Sequence, residues 1–537
     1  MNRLEGVGTT VAGSAWQPLH LRVFRALWLA QFVSNIGGWM QTVGAQWLIT
    51  EQMGSVALIA LVQTAASLPV LLLGIPAGVL ADIVDRRRQL LFSQFLMFGA
   101  AGLLFVLTAL GHIDAYAVLL LTFVLGCGSA LMSPAWQAIQ PDLVPREQIP
   151  AAAALGAVSM NLARAVGPAL GGVVVALAGS AAVFAINAVS FLATVAALVS
   201  WHRGVAPDPL GAERALPALG AGYRYVRNAP RIRRVLGRAL LFVPAAAALW
   251  ALLPVVAQQQ LGLHAAGYGV LLGAVGIGAV LGALLLPRLR ARLSSNAALA
   301  IGTLIFAGAM AVLAVLHIPW LAGVVLVLSG VAWLAVLSTL NSQMQVTAPA
   351  WVRARALAIY LTIFQGGTAI GSAIWGVITN VISLQNTLLI AAVLLAIGSL
   401  VGGRLAVADT ALDRSPSPHW PEPVMLLDTS KTDGPVLVTI SYHVPADRTD
   451  AFIQAMDAVR LSRLRTGALQ WDLYQDGANP EVYLEVYMTA SWDEHLRQHG
   501  GRLTGHDRAL EQQARSLLNP EFTFEVTHYL PARGARS

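Results

Sequence analysis

The stretch Gly78-Val-Leu-Ala-Asp-Ile-Val-Asp-Arg-Arg-Arg88 puts two acidic and three basic residues into a short turn between two long apolar runs. Only 11% of the 537 residues are charged, and the mean hydropathy is +0.66. Because charge is scarce, its position carries information. A charged turn between two apolar runs of bilayer length must lie at a membrane surface, since charge in the hydrocarbon core is costly.

The apolar content predicts a multi-pass membrane protein, with 56% of the residues hydrophobic. A helix of about 20 apolar residues crosses the hydrocarbon core, and helices satisfy their own backbone groups there. No cleavable signal peptide is visible. The single cysteine, Cys127, lies in a predicted span, which excludes disulfides and thiolate metal sites. We predict twelve spans, near 24–50, 56–80, 89–110, 115–138, 152–178, 180–201, 236–260, 267–287, 297–316, 319–344, 356–381 and 386–407.

Basic residues occur on one side of these spans only. Arg86, Arg87 and Arg88 follow the second span, Arg146 follows the fourth, and arginines fill the loop after the sixth. The intervening loops, near 51–55, 111–116, 178–181, 261–266, 317–319 and 382–387, contain no Lys or Arg. This alternation predicts an inner-membrane protein with both termini cytoplasmic. The formal charge of +7 therefore reflects topology and contact with membrane lipids, and it gives no support for nucleic-acid binding.

The loop at 202–235 divides the spans into two groups of six. We predict a membrane domain over 1–410, with halves of about 15–202 and 235–410, and a proline-rich linker over 411–434. The remainder, 435–532, is soluble in character. Strand patterns at 436–444, 469–475, 481–489 and 522–530 alternate with helical patterns at 447–465 and 492–518. The order βαββαβ predicts an α+β domain of ferredoxin-like fold.

The opening turn resembles the loop signature of the major facilitator superfamily between its second and third helices. Gly78, Asp82, Arg86 and Arg87 match that signature, whereas Ile83 stands at a position that is usually basic. The resemblance implies an all-α membrane domain and a gating loop formed by these four residues and Asp85. A generic positive-inside loop is the alternative, but it explains neither Gly78 nor the acids.

The fifth span contains Gly167-Pro-Ala-Leu-Gly-Gly172, which resembles a motif of superfamily exporters that work as antiporters. The small residues allow close helix approach, and Pro168 permits bending. We predict that Gly167, Pro168, Gly171 and Gly172 form a hinge and packing surface. Gly278 and Gly282 in the eighth span offer a complementary small face. Ordinary small-residue packing in a membrane bundle is the alternative interpretation.

Polar residues within the spans predict a substrate pathway. Arg164 is the only ionisable residue well inside a span, where it requires a cavity, an anion or a partner. The alternative for Arg164 is a structural arginine capped by carbonyls, and most of the other polar residues could equally be helix contacts. No span contains an interior Asp or Glu, so the coupling ion stays open. The predicted pathway residues are Asn35, Gln41, Gln63, Asn161, Arg164 and Gln365.

Two longer segments narrow the resemblance. Residues 134–147 and 161–172 look like the enterobactin-exporter and transmembrane secretion effector branch of the superfamily. This resemblance covers roughly 15–410. It implies export of a siderophore, an antibiotic or another secondary metabolite.

The tail resembles antibiotic-biosynthesis monooxygenase-like domains, which pair their sheets into a dimeric α/β barrel. Homodimerisation through the tail is therefore expected. His495 and His499 are spaced i, i+4 but lack the glutamate of a zinc-protease helix, so we predict no metal site. We predict no cofactor and no catalytic residue either.

Together these patterns predict a secondary transporter that exports a small amphipathic molecule by alternating access. One alternative makes the tail a cofactor-free monooxygenase tethered to the membrane. The other is a facilitative or uptake carrier, which the absence of intramembrane carboxylates leaves open.

Overall fold

The computed structural model describes residues 16–52, 55–201, 215–409, 412–417, 420 and 434–531. The side chains of some helical residues, among them Asp82, Ile83 and Asp142, lie outside that description. Most of the predicted linker, and the first part of the predicted 202–235 loop, also lie outside it.

The chain is mostly helical up to Arg404. The first group of helices comprises α1 (Arg22–Glu51), α2 (Val56–Ile83), α3 (Arg86–Ala109), α4 (Ala115–Leu143) and α5 (Ile149–Ser200). A second group comprises α7 (Pro230–Val255), α8 (Ala265–Arg292), α9 (Ser295–Val315), α10 (Pro319–Thr347), α11 (Arg353–Val381) and α12 (Leu384–Arg404). Within the described ranges, ten helices are long and apolar enough to cross a membrane.

Helix boundaries follow local capping chemistry. Asp85 caps α3 by accepting a hydrogen bond from the backbone of Arg88 at 2.9 Å, and Asp114 caps α4 in the same way through Ala117. Ser294 caps α9. Each cap satisfies an N–H group that the first helical turn leaves unpaired. The scarce polar residues of the loops thus set where the helices begin.

α5 is 52 residues long because its chain direction changes within a helix rather than at a loop. The break lies at Gly179, whose backbone has φ 74° and ψ 171°. A side chain with a Cβ rarely adopts that φ, so glycine permits the break. The predicted boundary between the fifth and sixth spans, at 178–181, falls on this residue.

The predicted loop at 202–235 contains a helix, α6 (Ala215–Arg227). The prolines of this stretch favoured a loop in the sequence. Among the described side chains of α6, Ala221, Tyr225 and Val226 are buried. Its apolar face therefore packs on other parts of the protein.

The tail contains a four-stranded antiparallel sheet of β1 (Val436–His443), β2 (Ala468–Gln475), β3 (Val482–Thr489) and β4 (Glu525–Tyr529). The strand order is β2-β3-β1-β4. Three helices complete it: α13 (Thr449–Thr466), α14 (Trp492–Arg497) and α15 (Gly505–Arg515). A π-helical turn at Gln498–Arg502 follows α14. This turn interrupts the helical pattern that the sequence predicts over 492–518.

The chain forms two compact units. The membrane unit contains Met1–Leu210, Arg238–Thr339 and Leu361–Arg404. The tail unit contains Gly211–Gly237, Leu340–Tyr360 and Leu405–Ser537. α6 and the residues between α10 and α11 therefore belong with the tail.

Candidate translocation site

The first half of the membrane unit contains a cavity of about 330 Å³. We call the end of this unit that carries Arg86–Arg88 and Arg290 the basic end. None of the described residues lining the cavity is charged, and they come from the basic-end portions of three helices. From α1 these are Phe24, Leu27, Trp28, Gln31 and Asn35; from α4, Ser129, Met132, Ser133, Trp136, Gln137, Gln140 and Leu143; from α5, Ala152, Ala153, Gly156, Ala157, Ser159 and Met160.

A chain of amide and hydroxyl groups lines one wall of this cavity. Gln31 Nε2 donates to Asn35 Oδ1 at 3.0 Å, and Asn35 Nδ2 donates to Ser159 Oγ at 3.2 Å. Gln31 Oε1 is buried with no partner among the described residues. Trp28 donates its indole N–H to the carbonyl of Leu155 at 3.0 Å, which fixes its ring at the wall. The cavity thus offers neutral acceptors beside aromatic surface, as sites for neutral or amphipathic ligands do.

Arg164 lies one helical turn beyond Met160, on the same face of α5. Its guanidinium carbon is 5.5 Å from the centroid of the Trp39 ring, which is a cation–π contact. Arg164 Nε is buried with no hydrogen-bond partner among the described residues. Asn161 instead donates to the carbonyl of Ala157 on its own helix at 2.9 Å. Arg164 therefore adds positive charge one turn beyond an uncharged cavity.

The other predicted pathway residues lie elsewhere in the membrane unit. Gln41 is buried and accepts a hydrogen bond from Asn187 at 3.2 Å, which joins α1 to the last part of α5. Gln63 donates to Ser67 on its own helix at 3.3 Å. Gln365 is half-buried in α11. The structure thus brings Asn35 to the cavity with Asn161 and Arg164 just beyond it, and places these three glutamines apart from it.

The predicted hinge glycines face two different helices. A Cβ at Gly167 would lie 2.6 Å from Trp39 Cβ, and one at Gly171 would lie 2.8 Å from Met40 Cα, so both face α1. Gly172 faces α8 in the other half, where its Cβ would lie 2.7 Å from Gly269 Cα. The Pro168 carbonyl is also close to Gly269. The motif therefore packs α5 between α1 and α8.

The predicted pairing of Gly278 and Gly282 with this motif is wrong. Both glycines face α10, at Val327 and Val331. The glycines of α8 that meet α5 are instead Gly269, Gly273 and Gly276. The error has a physical cause: a glycine-rich helix has small residues on several faces, and only the neighbouring helices decide which face meets which partner.

The two halves also contact each other away from the basic end. Thr64 in α2 donates to the carbonyl of Ala369 in α11 at 2.9 Å, and Gly376 packs on Ala57 and Ala60. Gln46 in α1 donates to the carbonyl of Trp250 in α7 at 3.3 Å and accepts a hydrogen bond from Tyr268 in α8. These contacts lie toward the opposite end of the bundle from the cavity.

The turn at Gly78–Arg88 is tied to helices of its own half. Arg86 donates to the carbonyl of Ala138 at 3.0 Å, and Arg87 donates to the carbonyls of Leu198 and Val199 at 2.8 Å each. Guanidinium groups near helix C-termini meet the negative end of the helix dipole. A Cβ at Gly78 would have no neighbour within 4 Å. The side chain of Asp82 is outside the description, so its gating role stays a prediction.

Sequence reasoning missed an aromatic cluster in the second half. The ring of Trp333 in α10 lies 5.2 Å from Trp250, 5.7 Å from Phe242 and 5.8 Å from Phe306, between centroids. Trp250 Nε1 is buried with no partner among the described residues. No periodic pattern marks such a cluster, because its members come from α7, α9 and α10.

The tail buries an ion-pair network that the sequence also did not predict. Arg463 is 1% exposed and pairs with Glu485 at 2.8 Å and with Glu511. Tyr442 and Trp471 donate to Glu485 at 2.7 and 2.8 Å. Burial alone would lower the pKa of Arg463, but the two carboxylates raise it well above its ordinary value. The guanidinium is therefore fully charged and fully paired.

Three histidines lie together at one edge of the tail core. His495 is fully buried, and its ring centroid is 4.5 Å from His499 and 4.8 Å from His528. Burial, followed by the neighbouring His499 and His528, lowers the pKa of His495 to about 2. The i, i+4 spacing of His495 and His499 was visible in the sequence. His528 was not connected with them, because β4 brings it there from the far end of the tail.

Residues 13–535, which include the tail, match the family model described as transmembrane secretion effector. The chain is 29% identical over 366 residues to the enterobactin exporter EntS of Citrobacter koseri, covering 66% of this chain and 84% of that protein. It is 25% identical over 260 residues to the staphyloferrin A transporter of Staphylococcus aureus, covering 48% of this chain. This second match spans 65% of that relative, just under two thirds of its length.

Solved transporter structures show the same fold. A bacterial homologue of the human lysosomal transporter Spinster, in an inward-facing and unoccupied conformation, matches with a TM-score of 0.59 at 15% identity. That match covers 71% of this chain and 96% of the other. The nucleoside transporter NupG matches with a TM-score of 0.54 at 14% identity, covering 72% and 99%. At these identities the likeness concerns the fold alone.

Proposed function

The chain belongs to the transmembrane secretion effector family, and we propose that it is a secondary transporter exporting a small amphipathic molecule across the inner membrane. A siderophore, an antibiotic or another secondary metabolite is the substrate class. The observation that carries this proposal is the uncharged cavity of α1, α4 and α5, where amides adjoin indole rings. Two relatives, an enterobactin exporter and a staphyloferrin A transporter, support export of siderophore-like molecules.

Alternating access is the proposed mechanism. The cavity lies toward the basic end, while the contacts of Gln46, Thr64 and Gly376 hold the halves together toward the other end. By the positive-inside rule the basic end is cytoplasmic. Substrate then enters the cavity from the cytoplasm. Opening of the far-end contacts, with closure of the basic end, releases it outside.

Twelve spans with both termini cytoplasmic complete this proposal. The ten candidate spans include α5 once, and its break at Gly179 supports counting it as two. The 30-residue α1 adds the twelfth. An even number of spans is consistent with arginine-containing loops on one side only.

Arg164 is proposed to recognise an acidic group of the substrate. It lies one turn from the cavity, and its buried Nε has no hydrogen-bond partner among the described residues. Arg164→Lys should then retain export of an anionic substrate, whereas Arg164→Met should lose it. Equal loss with both variants, with normal membrane insertion, would instead indicate a structural role for the guanidinium.

The decisive test fills the cavity. Gly156 lines it, and a Cβ there would meet only Gln140 Nε2, at 3.8 Å. In an efflux-deficient host, accumulation of enterobactin, a macrolide and a cationic dye would be compared for wild type and Gly156→Phe. We expect wild type to lower accumulation of at least one compound and Gly156→Phe to restore the level of the empty host.

A matched control is available on the same helix. Val158 is 46% exposed and is not among the residues that line the cavity, so Val158→Phe adds the same ring without filling it. Export should continue in this variant. Normal export by Gly156→Phe would contradict the cavity as the substrate site, and failure of wild type to export any compound would contradict export itself.

A facilitative or uptake carrier is the second candidate, because the spans hold no interior Asp or Glu to carry a coupling proton. Everted membrane vesicles distinguish the two. Uptake into vesicles that collapses with a protonophore supports active export. Uptake that only equilibrates the substrate, with no response to the gradient, supports facilitation.

The tail is proposed to be a ferredoxin-like domain of the monooxygenase-like type that dimerises through its sheet. The order β2-β3-β1-β4 and the βαββαβ sequence of elements support that fold. The sheet face opposite α13 exposes Leu484, Tyr474 and Tyr529, of which Tyr474 is 56% exposed. Light scattering of the detergent-solubilised protein should show a dimer, and Leu484→Lys should shift it to a monomer.

A further inference from the structure

Three imidazole rings from three separate elements converge in the tail. His495 comes from α14, His499 from the π-helical turn that follows it, and His528 from β4. Each offers a ring nitrogen, and these three nitrogens all lie within 4.8 Å of one another. Because β4 is distant in sequence from the other two elements, only the folded chain brings the three rings together.

The distance between the first two rings suits two ligands of one ion. His495 Nε2 and His499 Nε2 are 3.1 Å apart. Two imidazole nitrogens bound to one Zn²⁺ at about 2.0–2.1 Å, in tetrahedral geometry, lie roughly 3.3 Å apart. The nitrogen of His528 lies within 4.8 Å of the other two, so this ring must move closer to complete the geometry.

The histidine cluster differs from the rest of the tail core in how its buried polar atoms are paired. The core otherwise pairs its buried charges, as Arg463 does with Glu485 and Glu511. In contrast, His528 Nε2 is buried with no hydrogen-bond partner among the described residues. A buried ring nitrogen left in that state loses its hydrogen bonds to water without replacement. A cation that accepts its lone pair compensates for this loss.

We propose that His495, His499 and His528 bind one divalent transition-metal ion of the zinc class. Three imidazoles and no thiolate favour Zn²⁺ and its neighbours over Mg²⁺ or Ca²⁺, which prefer oxygen ligands. Three protein ligands leave a fourth position for water or for a ligand group. The ion ties β4, an edge strand, to α14 and the π-helical turn.

Two tryptophan rings surround the histidine cluster. The Trp492 ring lies 5.4 Å from His495 and 6.0 Å from His528, and the Trp420 ring lies 4.7 Å from His499, between centroids. Aromatic walls limit the access of water and fix the ring orientations. This metal site is independent of the transport proposal, because it lies wholly within the tail unit.

The test uses the full-length protein, purified in detergent without a polyhistidine tag and stripped with EDTA. Zn²⁺ is then titrated by calorimetry, and bound zinc is counted by elemental analysis after desalting. Wild type should bind one Zn²⁺ per chain. His499→Gln and His528→Gln should each weaken binding by about 100-fold or more, at least the effect of losing an outer-shell partner.

His506→Gln is the matched control, because His506 is a half-buried histidine of α15 outside the cluster. It should bind Zn²⁺ like wild type. Circular dichroism and elution volume show whether each variant is folded. Binding that is equal in all four proteins, or less than one ion per chain in wild type, would overturn the proposal.

Co²⁺ provides a measurement that does not depend on a variant being folded. One Co²⁺ bound to wild type in a site of four or five ligands gives strong visible absorption bands, and Zn²⁺ should displace them. Absence of these bands at saturating Co²⁺ would also overturn the proposal.

Discussion

The two units of this protein bury their interiors by opposite means. At the interface of α5 and α8 the helices approach through Gly172, Gly269 and Gly276, with no charge involved. In the tail core, a fully buried arginine is held by the carboxylates of Glu485 and Glu511, and Glu485 also accepts hydrogen bonds from a tyrosine and a tryptophan. In lipid there is little hydrophobic gain from helix contact, so close backbone packing must supply the attraction. In water the apolar core drives folding, and a buried charge network is tolerated where every member is paired.

The largest expected effect comes from breaking the charge network. Arg463→Met leaves Glu485 and Glu511 buried without their cation, which should lower the free energy of unfolding of the tail by about 3–5 kcal/mol. Pulse proteolysis of the full-length protein in increasing urea, followed on a tail-specific fragment, measures this change.

Arg460→Met is the control on the same helix. Arg460 is 44% exposed and its pair with Asp457 spans 3.8 Å, so its loss should change tail stability by less than about 1 kcal/mol. Similar effects of the two substitutions would mean that the buried network does not stabilise the tail more than a surface pair does.

The second prediction breaks the glycine interface instead. Gly276→Leu forces a side chain against the backbone of Arg164 and Ala165, at a cost of about 1–3 kcal/mol from overpacking. The halves can no longer approach as observed, and we expect export to be lost while the protein still inserts. Export and membrane levels would be measured together.

Gly308→Leu is the matched substitution, since a Cβ at Gly308 in α9 meets nothing within 4 Å. It should export normally. If Gly276→Leu exports as well as this control, the close α5–α8 contact is not needed in the transport cycle.

A third prediction concerns one hydrogen bond between the halves. Tyr268→Phe removes the donor to Gln46, which should cost about 0.5–1.5 kcal/mol and favour opening of the far end up to about tenfold. Cysteine crosslinking across α2 and α11 would report that opening. A crosslinking pattern unchanged from wild type would show that this bond does not hold the far end closed.

The smallest structural effect is expected at Gly78. Comparing a substitution there with one at Asp82 separates the packing of this turn from its gating role. With no neighbour within 4 Å, Gly78→Ala should fit the observed structure and stabilise α2 by at most about 1 kcal/mol. Asp82→Asn should in contrast abolish export if the gating role is correct. Loss of export in Gly78→Ala, with normal insertion, would mean that another state of the cycle brings a helix against this glycine.

The sequence predicted elements better than contacts. Apolar runs located the long helices, and alternation located all four strands, because both signals are local in the chain. The helix α6 was missed because the prolines and arginines of this stretch are typical of a loop. The structure shows that the helix has an apolar face, on which Tyr225 and Val226 are buried.

Contacts between distant residues could not be read from spacing. The Arg463 network joins α13, β3 and α15, and the histidine cluster needs β4 beside α14. The face of α8 that meets α5 depends on how the helices cross, which a glycine count does not determine. Asn35 lies at a cavity, as a polar residue in a span must find a partner or water; its role in a substrate pathway stays a prediction.

The contacts within the tail unit also determine when this unit can fold during translation. Arg224 on α6 pairs with Glu494 at 2.5 Å, and the guanidinium of Arg502 lies 4.8 Å from the Trp351 ring. The ribosome makes Arg224 and Trp351 long before it makes their partners. Until translation reaches the tail, both lack the residues that contact them. A prematurely ended chain would therefore present an uncovered apolar surface to proteases, so that docking of the tail marks a completed polypeptide.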